Sequence, residues 1–416
     1  MKHVIIGAGA AGISAARRIL KEKPDDSIII VSQDEEVYSR CMLHKFISGE
    51  RDAESLNFIN DDLLNSPQIQ WIKGKTITRL DGAAKTVYAG DEAIASGDTV
   101  LIAAGADSII PPIGDLKIAK NAYGLRHLSD ARSIAKYAKQ AKKIAIIGAG
   151  LVGLDAVYGI MEGNETREIS VIEMAPTLLA INLDAHAALT YQKLFEKYGI
   201  KFYLGNKVVN TRSGTEGNID ALELEDGKII SCDIVIVAVG VRPALAFLEG
   251  SGLELTERKM LKVDDYMATS MPGIFAAGDA TGLSGVWPNA QKQGIVAAYN
   301  MTGTKWAYDD KFALKNTINF FSLPSLSLGA INPQEGDECI IREDRNNYQK
   351  LILRDGVPIG IILQGEIGGS GFWLHLIKNK ISIRNLEFGG SKKSPWKVSY
   401  ADFYGLETTG EYKWVV

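Results

Sequence analysis

An α/β architecture, with two Rossmann-like nucleotide-binding domains and a small C-terminal α+β domain, is what this sequence of 416 residues predicts. Three observations carry that expectation. A strand–glycine turn–helix–strand pattern occurs twice, starting at Lys2 and again at Ile144. Two further apolar strands, Thr99–Ala103 and Ile234–Val239, each run into a glycine. Beyond about residue 312 the texture changes to short β-like runs separated by turn residues.

In the first copy, Lys2–Ile6 is a short apolar strand and Gly7-Ala8-Gly9-Ala10-Ala11-Gly12 is the turn. A helix over Ile13–Lys23 and a buried strand over Ser27–Val31 follow. In the second, strand Ile144–Ile147 leads into Gly148-Ala149-Gly150-Leu151-Val152-Gly153, then a helix through Met161 and strand Ile169–Ile172. The strand–turn–helix–strand context is what makes such glycines a dinucleotide-binding signal. The first glycine permits the tight turn, and the second lets backbone approach a pyrophosphate. The third lets helix pack on strand, and the helix N-terminus faces the phosphate charge.

The strand ending in Ala104-Gly105-Ala106 and the one ending in Gly240-Val241-Arg242-Pro243 mark where the chain crosses between the nucleotide domains. Next comes Ile274-Phe275-Ala276-Ala277-Gly278-Asp279, an apolar strand that delivers Gly-Asp at its carboxyl end. An aspartate there suits a hydrogen bond from a ribityl hydroxyl, while the plainer reading is a helix N-cap. The expected domains are 1–111 with 241–311, then 112–240, then 312–386, followed by an aromatic-rich tail over 387–416. In the third domain the β-like runs are Thr317–Phe321, Cys339–Arg342, Lys350–Leu353 and Ile359–Leu363, with a short helix over Phe372–Lys378. In the tail, Gly389–Pro395 reads as a linker before Trp396, Tyr400, Phe403, Tyr404, Tyr412 and Trp414.

Composition narrows the function. A net charge of −4 over this length argues against nucleic acid as a partner. The apolar runs are strand-length and too short to span a bilayer, and the one after Met1-Lys2-His3 breaks at Gly7, so no secretory segment is expected. Cys41, Cys232 and Cys339 stand alone, which excludes a four-cysteine iron–sulfur or rubredoxin centre and a vicinal dithiol within the chain. The five histidines show no ligand spacing, so no metal is expected. A reducing cytoplasm is the expected setting.

With these motifs in place, the chain resembles the pyridine nucleotide–disulfide oxidoreductase superfamily. Within it, the sequence is similar to NADH:rubredoxin oxidoreductases and their ferredoxin-reductase and nitrite-reductase flavoprotein relatives. The likeness covers roughly residues 1–386 and includes both glycine turns, Ala276-Ala277-Gly278-Asp279 and Trp287-Pro288-Asn289-Ala290 with Gln293-Gly294. Phe320-Phe321-Ser322-Leu323-Pro324 is similar to that family's F-F-G-L-P. The resemblance implies FAD in the first fold, with Gly278-Asp279 belonging to it, and NADH in the second.

Tyr38-Ser39-Arg40-Cys41-Met42-Leu43-His44-Lys45 resembles the reductases' Y-x-R-P-x-L-x-K. The resemblance places Lys45 beside the flavin, with Asp155 standing where a partner glutamate is expected, and Arg40 beside the cofactor. A lysine there would favour the electron-rich reduced flavin, and a carboxylate would keep it charged. Cys41 replaces the proline, at the position where NADH peroxidases, NADH oxidases and coenzyme A-disulfide reductases carry a redox cysteine. Two readings of Cys41 stay open: a redox thiol activated by Arg40 and Lys45, or a packed cysteine. Cys232 and Cys339 read as core. Trp287 is read either as a cover over one flavin rim or as a core tryptophan.

The acid that accepts ribose hydroxyls is expected about 20 residues after the third glycine. Glu173 holds that place in the second copy, and Met174-Ala175-Pro176 offers no cation for a 2′-phosphate, so NADH is expected over NADPH. The matching position in the first copy is Ser32, with Asp34 the nearest acid that a small shift would bring to the ribose. Because the chain carries no metal centre to receive single electrons, a small redox protein or an iron–sulfur partner subunit is implied. Three functions remain open: NADH-to-carrier electron transfer, a Cys41-dependent peroxidase, oxidase or disulfide reductase, and a diaphorase subunit whose tail docks a larger redox complex. The tail is read equally as packing on its own core.

Overall fold

The computed structural model describes residues 1–416 except 60–61, 163–166, 311–314, 385–386, 389–390, 393–394, 400–402, 407–411 and 415–416. The α-helices are α1 (Ala10–Glu22), α2 (Leu43–Ile47), α3 (Leu128–Ala138), α4 (Leu151–Met161), α5 (Ala185–Lys197), α6 (Trp287–Met301) and α7 (Ser370–Asn379). The chain forms two compact units. One takes Met1–Met174 with Gly199–Ala313, and the other takes Ala175–Tyr198 with Leu314–Val416.

The first unit holds two five-stranded parallel sheets. In one the order is Ile274–Ala276, Thr99–Ile102, Lys2–Ile6, Ser27–Val31, Ile69–Ile72. In the other it is Lys201–Leu204, Glu168–Glu173, Lys143–Ile147, Ile234–Val237, Ala122–Tyr123. Their central strands are β-branched and apolar because both faces are covered: Val4, Ile5, Ala145 and Ile146 are completely buried. The registers bring carboxyl ends level, Ile6 with Val31 and Ile102, and Ile147 with Ile172 and Val237. Each glycine turn therefore opens where strand order reverses, the place where such sheets bind ligands.

Helix α1 starts three residues before the expected Ile13, because the glycine turn supplies its first turn, with Gly9 as an extended N-cap (φ −83°, ψ −170°). The two crossover segments lie side by side, Ala106–Ser108 pairing antiparallel with Val241–Pro243. Two three-stranded antiparallel sheets complete this unit: Arg79–Asp81, Thr86–Ala89 and Glu92–Ser96, and Val208–Ser213, Ile219–Leu224 and Ile229–Ser231.

The second unit is an antiparallel sheet in the order Lys315–Phe320, Leu323–Gly329, Val357–Gln364, Tyr348–Arg354, Glu338–Glu343. Strand Leu323–Gly329 was not among the expected runs, because its alternation is Leu with Ser and both residue types are buried, Ser325 and Ser327 with Leu326 and Leu328. Helix α5 buries Tyr191 and Phe195 against Phe320, with ring centroids 5.7 and 5.4 Å apart. Its N-cap Asp184 accepts from the Ala187 amide, from Tyr348 Oη at 2.7 Å and from Lys350 Nζ at 2.9 Å.

Cys232 is buried as expected, but Cys339 is exposed. It lies on the edge strand Glu338–Glu343, which has no fully buried residue, so an apolar-looking run there does not reach the core. In the tail, Trp396 meets Trp373 of α7 at 6.0 Å, and buried Phe403 lies 6.1 Å from Phe372. Those two aromatics pack on their own unit, whereas Tyr400 lies outside the described residues. Ser391–Lys392, inside the expected linker, pairs with Glu387–Phe388 just before it.

Candidate active site

The two glycine turns have matching geometry. Gly7 sits at φ +107°, and a Cβ on it would come 2.3 Å from the Ala103 carbonyl oxygen. A Cβ on Gly12 would come 2.0 Å from the Gly7 oxygen, whereas the space beside Gly9 is open. Gly148, Gly150 and Gly153 repeat this: φ +105°, open space, and 1.9 Å from the Gly148 oxygen. Neither α1 nor α4 has a side-chain N-cap bond or an acid in its first turn, so the amides of Ala10, Ala11, Leu151 and Val152 stand at helix N-termini suited to an anion. The cradles fit pyrophosphates.

The acids beyond these turns differ. Glu173 Oε2 accepts from the Ala149 amide at 2.8 Å, which places its carboxylate in the second glycine turn. Ser32 is buried at the matching point of the first fold, where it accepts from Trp71 Nε1 at 2.9 Å and donates to the Asp34 carbonyl at 2.7 Å. The Asp34 carboxylate pairs with Arg40 at 2.8 Å. Arg40 also donates to the Arg126 carbonyl at 2.7 Å and to Tyr38 Oη at 3.0 Å.

Helix α6 lies close on α1, because a Cβ on Gly294 would come 2.1 Å from the Ala11 oxygen. This brings Gln293, fully buried, beneath the Gly278 turn: its Oε1 accepts the Gly278 amide at 2.8 Å, while its Nε2 has no partner. That orphaned donor beside the first cradle is further support for a bound polar group. Asp279 pairs with Arg126, a residue the sequence did not single out. Nothing local marks Arg126, since its carboxylate partner is 153 positions away. Gly105 (φ +71°), with Ala104 before it, and Gly240 (φ +124°) need the left-handed backbone where the chain leaves each sheet. Trp287, half-buried at the start of α6, packs edge-on against Phe58 at 4.8 Å.

Helix α4 passes α2 at Gly159, where a Cβ would come 2.5 Å from the His44 oxygen. Lys45 Nζ bonds Glu50 at 2.5 Å and lies 3.8 Å from Glu162. Asp155 faces His44 instead, with Nδ1 and Oδ1 3.8 Å apart. The atoms packed around Asp155 desolvate its carboxyl and push it up to about 7, although 30% of its side-chain surface stays exposed, and the charge of Lys45 only partly opposes this. Cys41 is exposed rather than packed. Desolvation by the neighbouring atoms and the Asp155 carboxylate push its thiol up, with Asp279 adding to that and Arg126 opposing it. The cations expected to activate the thiol are engaged elsewhere, Arg40 with Asp34 and Lys45 with Glu50.

Among the described residues, no group of His, Cys, Asp and Glu could hold a metal ion, and no helix is long and apolar enough to cross a membrane. A family profile described as pyridine nucleotide-disulphide oxidoreductase matches residues 1–294. One described as rubredoxin NAD+ reductase C-terminal domain matches residues 315–381. The chain is 28% identical over 388 residues to nitrite reductase [NAD(P)H] of Bacillus subtilis, covering 91% of this chain and 47% of that protein, about half its length. It is also 28% identical over 399 residues to the NADH-dependent phenylglyoxylate dehydrogenase subunit epsilon of Aromatoleum evansii, covering 92% and 93%. The NAD-dependent persulfide reductase of A. fulgidus has a similar structure, with TM-score 0.82, 25% identity, and coverage of 94% and 80%. Taken with the two cradles, these findings show that the chain belongs to the pyridine nucleotide–disulphide oxidoreductase family, as an FAD- and NAD(H)-dependent oxidoreductase.

Proposed function

We propose that this chain takes electrons from NADH and passes them to a separate one-electron carrier, a small ferredoxin- or rubredoxin-type protein. The observation that carries this reading is the pairing of two pyrophosphate cradles with a single, unactivated Cys41 thiol. All three cysteines are free, and no C-x-x-C supplies a dithiol. FAD, when bound, supplies the chemistry that turns one hydride into two single electrons.

The residues orient and charge-match the nucleotides. The amides of Gly9, Ala10, Ala11 and Gly12 receive the FAD pyrophosphate, and Asp279, oriented by Arg126, receives a ribityl hydroxyl. The amides of Gly150, Leu151, Val152 and Gly153 receive the NADH pyrophosphate. Glu173 accepts the adenosine ribose hydroxyls and repels a 2′-phosphate. Asp34, drawn to Arg40, acts through that arginine rather than on the ribose. Lys45 keeps positive charge at the cleft. Three free cysteines support a reducing, cytoplasmic setting.

The test is NADH oxidation by the purified chain with a rubredoxin or a [2Fe–2S] ferredoxin as acceptor, followed by carrier bleaching. Carrier-dependent rates well above the rate with oxygen alone are expected, and equal rates would count against the reading. One observation favours a second reading, a diaphorase subunit of a larger complex: the likeness to the phenylglyoxylate dehydrogenase subunit runs nearly end to end in both chains. Co-purification from the native cell separates the two.

A further inference from the structure

His44 lies between Leu43 and Lys45, at a position the reductase-like pattern leaves unspecified. Its place is set by packing. The bare face of Gly159 lets α4 close on the backbone of α2, and this puts the imidazole against Asp155, one turn earlier on α4. Lys45, the next residue, points into a different set of partners. Its ammonium bonds Glu50, lies 3.8 Å from Glu162, and sits 5.7 Å from the centre of the Tyr158 ring.

So the cation nearest in sequence is drawn off by two carboxylates and a ring, and an uncharged imidazole meets the Asp155 carboxyl. Burial pushes His44 down to about 4, with Lys45 and Arg51 adding to that and Glu50 opposing. The other charged groups are accounted for. Cys41 senses Asp155, Arg126 and Asp279. On α3, Asp130 accepts the Arg126 and His127 amides, and Arg132 pairs with Glu36.

We propose that Glu50 and Glu162 hold Lys45 off Asp155 while neutral His44 is set against it, leaving Asp155 as the proton-exchanging group of the nucleotide cleft. Its use rests on the electron-transfer reading. When NADH becomes NAD+ and two single electrons leave to a one-electron carrier, one proton is released. The Asp155 carboxylate takes that proton, forming an Oδ–H bond, and returns it to water, to which 30% of its side chain is open. His44 is a positioning residue that acts through Asp155.

The titration uses the FAD-loaded 416-residue chain with no NADH or acceptor present. Infrared difference spectra follow the carboxyl stretch from about pH 5 to about pH 9, and its loss in Asp155→Asn assigns the band. A midpoint near neutrality is expected for the native chain and for His44→Gln. His44→Arg, or Glu50→Gln combined with Glu162→Gln, brings a cation to the carboxyl and lowers the midpoint by about one unit or more. The pH profile of flavin reduction by NADH shifts in step. A midpoint unmoved in both charge-altering variants, or a band that persists in Asp155→Asn, overturns the proposal. If the arginine variant fails to fold, the double glutamine variant decides, because both glutamates are exposed. The titration needs no acceptor, so loss of carrier reduction with an intact titration counts against the proposed function alone.

Discussion

Arg126 and Asp279 form an ion pair across 153 positions of chain, and Arg126 Nε also donates to the Ala106 carbonyl at 3.0 Å. One guanidinium thus ties the Gly278-Asp279 turn to the strand Ala106–Ser108, where the chain leaves the first sheet. Asp279→Ala is expected to purify with less flavin, and Arg126→Leu to weaken FAD binding roughly tenfold by freeing the Asp279 side chain. The flavin-to-protein absorbance ratio after gel filtration measures this. Full retention in both variants would remove the pair from the cofactor site.

Glu173 is the basis for nucleotide choice. Glu173→Ala should raise the KM for NADH roughly tenfold, the loss of a charge-assisted hydrogen bond. Adding Met174→Arg, at an exposed position, should then move the kcat/KM ratio toward NADPH. Steady-state kinetics with both nucleotides read this directly, and an unchanged ratio would place the ribose elsewhere.

The Cys41 thiol is held above its ordinary value despite the charge of Arg126, so Cys41→Ser should keep NADH-to-carrier rates within about twofold, a change under one kcal/mol in barrier. A collapse of the rate would instead favour the thiol-dependent reading.

The turn joining Lys315–Phe320 to Leu323–Gly329 holds two consecutive left-handed residues, Phe321 and Ser322, both at φ +56°. That geometry normally selects asparagine or glycine. Ser322→Gly should therefore stabilise the second unit by about 1 kcal/mol. A rise in its thermal midpoint is the expected readout.

Asp184 is the acid-sensitive clasp of that unit. Burial pushes its carboxyl up, but the bonds from Lys350 and Tyr348 outweigh this and hold it below its ordinary value. A depressed folded pKa contributes stability that is present above the unfolded value and lost as pH falls through the folded one. Denaturant titrations should show this loss below about pH 4. Asp184→Asn should flatten that acid limb and cost about 3 kcal/mol at neutral pH, because Lys350 is left buried and unpaired.

Much of the architecture was legible because it is written in local pattern. Apolar β-branched runs such as Ile144–Ile147 must be buried strands, and glycines spaced as at 7, 9 and 12 must turn tightly into a helix. Glu173 follows from the same spacing. Edge and alternation signals were weaker: Cys339 looked like core on an exposed edge strand, and Leu323–Gly329 hid behind buried serines.

What local pattern could not supply is pairing between distant charges. Glycine spacing gave both nucleotide cradles, and the resemblance to the reductases put Lys45, Cys41 and Asp155 in one neighbourhood. Only the packing of α4 on α2 through Gly159 turned His44 toward Asp155 and Lys45 toward Glu50 and Glu162. Likewise, only the folded chain brought Arg126 to Asp279 and committed Asp34 to Arg40. Backbone periodicity is a short-range property of sequence, whereas the partner of a charge depends on which surfaces the fold brings within a few ångströms.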